Sequence, residues 1–296
     1  MSCYISKKIK RVEVLRSYIV KMIAYLLAAA ACILSCIPLL LLVVGTVTGN
    51  YELAAYLEGT LWGEGGTYLL VFPSYPTLGG MMEVLFKEPE FYVVFWNSVE
   101  LTGCIVLGQI LFAVPAAWGF SRWHGRWSSL LFYLYTILML LPFQVTMLSN
   151  YIVIDGLGIL DTHAAVILPA VFSTFPVFII YRSFLGIPEE IYEAFSLDSS
   201  SHWRMFCHVG VPLALPGIKS AALLGIIEYW NMVEQPLLFL KTPSRWPFSL
   251  YIPGISYNNV QYIFACSLIV LTPMVLIMFW GKDDIRKGIG NMAVKP

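Results

Sequence analysis

Three glutamates fall inside strongly apolar stretches of this chain, Glu100, Glu228 and Glu234, and the last two lie close to the amides Asn231 and Gln235. An ionised carboxylate at the centre of a bilayer costs on the order of 2.5–3.5 kcal/mol by insertion scales, so such groups face a protein interior or a wet cavity. On one continuous helix Glu228, Asn231 and Gln235 stand at i, i+3 and i+7, within about 60° of one another, and Glu234 lies beside Asn231. Pro236 would free the Met232 carbonyl four residues back and loosen the helix at that patch. Two readings stay open. The patch is either a substrate-facing wall for a ligand with several hydroxyls or an amine, or polar glue between helices and a partner. Other chemistries find no support. The sequence has no GxxxxGK[ST] phosphate loop, no nucleophile elbow and no HExxH. His163, His202 and His208 have no metal-ligand partner at useful spacing, and the cysteines at 3, 32, 36, 104, 207 and 266 fit neither metal nor disulfide spacing. The cysteines read as small buried hydrophobes.

The elements that must position these groups follow from composition. Of 296 residues, 58% are hydrophobic and only 12% charged, with no net charge. Recurrent apolar runs of about 18 residues or more mark an all-α integral membrane protein. Six transmembrane helices are expected, over 22–44, 93–118, 128–147, 164–185, 218–240 and 260–280. The first apolar run outlasts a signal-peptide core and is preceded by a basic segment, 1–21. The loop 45–92 carries six glutamates against Lys87 alone. Fifteen of the eighteen basic residues fall on one side of this arrangement, which places both termini, the loop 186–217 and the tail 282–296 in the cytoplasm. Lys87, Lys241 and Arg245 are the exceptions, while Asp155 and Asp161 sit in an outer turn with no nearby basic residue in sequence. The core is then 93–281 in a bacterial-type plasma membrane. Trp62, Trp123, Trp127, Trp246 and Trp280 fall near span ends, as in an interfacial belt. Trp96, Trp118 and Trp230 lie deeper, where packing is the ordinary role and stacking on a sugar ring the alternative. No basic-aromatic stripe supports a nucleic-acid partner.

The longest polar interval between two spans runs 188–216. Pro188 suits the first helical position, with Glu189 and Glu190 at the positive end of the helix dipole. Ile191, Ala194, Phe195 and Leu197 make a narrow apolar stripe. Asp198 and the serines 199–201 offer oxygens that stop this helix and cap a second, over 202–209, which ends before Pro212 and Pro216. Two short amphipathic helices between spans cannot bury themselves alone and are suited to dock into another protein.

Glu193-Ala194-Phe195, Asp198-Ser199 and Val211-Pro212-Leu213 with Pro216 resemble the EAA loop of binding-protein-dependent ABC importer permeases. The match extends through Tyr75-Pro76-Thr77-Leu78, Asn97-Ser98, Gly156 to Thr162, Trp230-Asn231 and the tail from Lys287 to Lys295, and it is closest to the maltose-type, carbohydrate-uptake branch. Phe195 replaces an alanine, and Ser199 replaces a glycine whose left-handed backbone a serine adopts only with strain or by forming another turn. The resemblance implies a permease subunit of an ATP-driven importer, with Glu193, Ala194, Phe195, Asp198, Ser199, Pro212 and Pro216 docking an ATPase. It implies a second permease, two ATPase subunits that bind ATP and Mg, and an extracytoplasmic solute-binding protein; this chain binds no cofactor and is no enzyme. Export or signalling of a non-sugar ligand, and a channel or scaffold without an ATPase, are the alternatives.

Overall fold

The computed structural model describes residues 2–61, 72–123, 125–255 and 259–293, with side chains over 18–57, 72–123, 125–255 and 259–286. Trp62, the last three residues, and the side chains of the N-terminal segment through Ser17, Cys3 among them, lie outside that description. The described residues are helical apart from turns and one bridge, Thr48 to Pro76. Helix is what a membrane demands, because each backbone group must find its partner within its own segment.

The chain divides into two compact units, Met1–Glu83 with Ser256–Leu268, and Val84–Ile255 with Ile269–Pro296. In the first unit, α1 (Ser2–Val47) is followed by α2 (Asn50–Leu61). The apolar part of α1, Tyr18–Val47, buries none of its most apolar window against the rest of the chain. Its far end is well tied. Thr77 N–H donates to the Val47 carbonyl at 2.7 Å, and Gln261 Nε2 donates to the Thr77 carbonyl at 3.2 Å. Glu52 on α2 accepts the Ser74 N–H at 2.9 Å, a bond that holds its carboxyl below the usual range. The Tyr75–Leu78 signature is thus a stitch across the end of α1.

The second unit holds the last three residues of α3 (Gly79–Phe86), α4 (Pro89–Arg122), α5 (Arg126–Met139), α6 (Phe143–Gly156), α7 (His163–Val171) and α8 (Thr174–Leu185). After α9 (Glu189–Asp198) and α10 (His202–Met205) come α11 (Val211–Trp230), α12 (Glu234–Phe239), α13 (Phe248–Gly254) and, from Ile269 on, α14 (Val260–Ala293), whose first part belongs to the first unit. Its centre is the packing of α4, α8 and α11, where Ala113, Val114 and Ala117 meet Ile180, Phe184, Ala214 and Ile218. Lipid is as apolar as these side chains, so close packing and interhelical hydrogen bonds, rather than hydrophobic exclusion, hold such helices together. Gly217 shows the principle: a Cβ there would collide with Ser183 on α8. Gln109 on α4 supplies the hydrogen bonds, donating to the Ala170 carbonyl of α7 at 2.8 Å and to the Tyr229 hydroxyl of α11 at 2.9 Å.

Among the described residues, five helices are long and apolar enough to cross a membrane, and the count is six if the bent pair of α5 and α6 is taken as one span. Three expected spans differ from single rods. Over 128–147, α5 and α6 meet at 99°. Pro142 has no N–H and disfavours helix at Leu141, and Leu140 and Leu141 instead close tight turns onto Ile137 and Leu138. Over 164–185, α7 and α8 are separated at Phe172 and Ser173. The span placed at 218–240 begins further back, continuous with α10 from His202, and ends at Trp230. Four of the cysteines, Cys32, Cys36, Cys104 and Cys207, are exposed on the chain; only Cys266 among the described ones is buried.

Candidate functional site

The polar loop forms around one tryptophan. Trp118, near the end of α4, packs against Phe184 of α8, Tyr192 of α9 and Phe206, with ring centroids 5.3, 5.7 and 5.5 Å away. One turn on, Arg122 clasps Glu189 through two hydrogen bonds of 2.7 and 2.8 Å. Its guanidinium also lies 4.2 Å from the centroid of the Tyr192 ring. A planar fork that grips a carboxylate and stacks on an aromatic face is what arginine does and lysine cannot. Tyr192 is 2% exposed, and burial pushes its hydroxyl up to about 12. So α9 is anchored through Glu189 and Tyr192, a residue outside the apolar stripe read from the sequence. The stripe itself stays open: Ile191 and Ala194 are exposed, Phe195 is half-buried and Leu197 is 88% exposed. Glu193 and Asp198 are exposed on the same short helix.

The turn that follows corrects two expectations. Pro188 is the residue before the helix, and Ser199 has φ −154° and ψ 125°, an extended backbone with no left-handed strain. The serine thereby makes a different turn, in which its Oγ accepts the Ser201 N–H at 3.3 Å and Ser201 Oγ accepts the Arg204 N–H at 3.4 Å. The second helix does not stop before the prolines. It passes through a π turn, Phe206–Gly210, into α11, with Val211 N–H reaching back to the Phe206 carbonyl. The wider turn accommodates Pro212, which lies in the first turn of α11 where no N–H is required, while Pro216 lies inside the helix. α10 and α11 therefore form one lever, with Trp203 at its tip 70% exposed.

At the other end of α7 a second tight cluster forms. Gly158 and Asp161 both have positive φ, 67° and 59°. The Asp161 carboxylate accepts the backbone N–H groups of Lys241 and Thr242 at 2.8 and 2.9 Å and the Thr242 hydroxyl at 2.5 Å, and it pairs with Arg245 at 3.1 Å. These bonds, the Thr242 hydroxyl first, hold its carboxyl down at about 2. Arg245, anomalous in the charge pattern, is thus the partner of the acid in the turn. Glu100 pairs with His163 at 3.3 Å beside this cluster and takes no part in the polar patch.

That patch is rearranged rather than continuous. α11 ends at Trp230, Asn231 turns its amide back to the Ile227 carbonyl at 3.1 Å, and Pro236 sits in the first turn of α12. The helical-wheel grouping of Glu228, Asn231, Glu234 and Gln235 therefore fails. The Met232 carbonyl is free of the helix, as Pro236 requires, and Ser249 Oγ donates to it at 2.6 Å. Glu234 accepts from Gln144 Nε2 at 2.6 Å. Glu228 and Gln235 are nonetheless brought together across the break, on a cavity of about 590 Å³ that Thr146, Asn150, Ser173 and Tyr229 also line. Trp230 is buried against Phe95 and Phe248, so its role is packing.

Residues 109–288, which contain the loop and this cavity, match the family described as "Binding-protein-dependent transport system inner membrane component". The chain belongs to that family. Among curated relatives, it is 26% identical over 249 residues to the arabinooligosaccharides transport system permease protein AraQ of Halalkalibacterium halodurans, covering 83% of this chain and 89% of the relative. It is 26% identical over 208 residues to the sn-glycerol-3-phosphate transport system permease protein UgpE of Escherichia coli K12, covering 68% and 73%. A solved bacterial ABC transporter involved in import of the acidic polysaccharide alginate shares the fold, with TM-score 0.76 and 17% identity over 90% of this chain and 96% of that one. Membership makes the chain a multi-pass inner-membrane transport component. Sequence reasoning missed several residues of this component that matter to the two sites: Trp118, Arg122 and Tyr192 at the loop, and Thr146 and Asn150 in the cavity. Asn150 was detectable as an amide within an apolar stretch; the Arg122–Glu189 contact bridges 67 positions and left no local signal.

Proposed function

We propose that the chain is one membrane-spanning subunit of an ATP-driven importer for an oligosaccharide, paired with a second permease, two ATPase subunits and an external solute-binding protein. The observation that carries this reading is the loop: α9 is clamped by one face to α4, and its other face, with Glu193, Ala194 and Leu197, is left uncovered on a family member of this kind. The basic residues assign that face to the cytoplasm, where ATPases are. ATP and Mg belong to those partners, since this sequence has no phosphate loop. The lever from α10 into α11 then carries ATPase movement to the cavity at Glu228 and Gln235, the proposed substrate path. Relatives named for arabinooligosaccharides and alginate support a saccharide. The test is uptake of labelled oligosaccharides by the full complex in proteoliposomes. Uptake should require ATP, and Glu193→Lys should release the ATPase while the permease still inserts. Absence of ATP-dependent uptake, or full retention of the ATPase by Glu193→Lys, overturns the reading.

A further inference from the structure

The family leaves the charge of the transported ligand open. Its relatives are named for neutral arabinooligosaccharides and for anionic glycerol phosphate, and the solved neighbour imports an acidic polysaccharide. The cavity narrows the choice. Glu228 is the one acidic side chain on its wall, and no Lys, Arg or His lines it among the described residues. Glu228 forms no hydrogen bond or ion pair with described residues. The Tyr229 hydroxyl already accepts from Gln109. The wall therefore carries one accessible carboxylate in want of a donor, Glu228, and no cation among the described residues to offset it. An occupant beside Glu228 is favoured when it brings a donor, because a hydrogen bond to a charged group is worth more than one between neutral groups. Hydroxyls and ammonium groups donate; carboxylates and phosphates only accept, and they add like-charge repulsion that a low-dielectric site magnifies. Apolar walls from Phe143 and Phe172 complete a surface suited to a sugar ring.

We propose that Glu228 is a specificity-determining residue that admits neutral and amine-bearing saccharides and rejects uronate- or phosphate-bearing ones. This rests on the import reading above. If Glu228 instead only bound a basic residue of the second permease, its loss would damage assembly rather than selectivity.

The experiment uses the complete complex in proteoliposomes and three probes: arabinotriose, a glucosamine trimer and trigalacturonate. Uptake is expressed per occupied binding protein, so that the binding protein's own preference divides out. Wild type should favour the first two probes over trigalacturonate by about tenfold or more. Glu228→Gln should bring the three rates together, and Glu228→Lys should reverse the order, with assembled complex recovered at wild-type yield. If wild type imports arabinotriose and Glu228→Gln leaves the ratios unchanged, the charge filter is wrong and the import reading stands. If Glu228→Gln lowers assembly and leaves the ratios alone, the residue joins helices and the proposal falls. If wild type takes up none of the probes, the import reading fails and the filter with it.

Discussion

The loop beside the foot of the lever and the cavity at its far end differ in how their polar groups are satisfied. At the loop, Arg122 and Glu189 are joined by two hydrogen bonds, and Trp118 is walled by three aromatic rings. In the cavity, Glu228 has no such partner among the described residues. Satisfied contacts fix a geometry, and unsatisfied acceptors keep an affinity for a visitor. A coupling element needs the first property and a transport path the second. One chain meets both by placing its arginine clamp at the helix ends and its lone carboxylate at a helix break.

The largest test of this contrast removes the clamp's centre. Trp118→Ala should cost about 3–5 kcal/mol as a core truncation, loosen α9, and expose the Ser199–Ser201 turn to limited proteolysis. Ligand preference of any complex that survives should be unchanged. A second test addresses the Asp161 cluster. Its carboxyl titrates at about 2, below the ordinary 3.8, so its stabilising contribution is complete above pH 3.8 and is lost as pH falls toward 2. Asp161→Asn should abolish that part of the acid sensitivity, read by thermal unfolding in detergent at pH 2 to 5. Smaller again, Ser199→Gly should cost about 0.5–1 kcal/mol, because the backbone there is extended and the lost Oγ accepts the Ser201 N–H. A neutral result would mean the left-handed turn forms after all. Smallest is Tyr192→Phe. The Tyr192 hydroxyl is buried without a partner, so its removal should change stability by less than about 0.5 kcal/mol and leave the ring beneath Arg122 in place.

Much of the fold could be read from the sequence because apolar run length reports spans directly. The helical class, the two-helix loop and the packing role of Trp230 all follow from local pattern. The helix breaks did not. Pro142 stands within an apolar run whose hydropathy continues unbroken on both sides, so composition alone draws one rod where two helices meet at 99°. At 231–233 the same continuity hid the end of α11, and the wheel drawn through it grouped Asn231 and Glu234 with Glu228 wrongly. Glu228 and Gln235 share a cavity through tertiary packing instead. The apolar stripe on α9 was also legible, but not which face would be covered: Tyr192 is the anchor because Arg122 and Trp118 arrive from far along the chain.

Docking falls to α9, beside the foot of the continuous α10–α11 helix, and selection to the cavity at that helix's far end. The most direct measurement compares Ala194→Asp with Asn150→Ala in the purified complex, scoring ATPase retention and the ligand dependence of ATP hydrolysis on the same samples. The account predicts that Ala194→Asp, on the uncovered face of α9, loses the ATPase while any residual activity keeps its ligand preference. Asn150→Ala, on the cavity wall, should keep the ATPase fully bound and alter the response to saccharide. If Ala194→Asp retains the ATPase, or if Asn150→Ala sheds it with ligand preference intact, the division of labour is wrong.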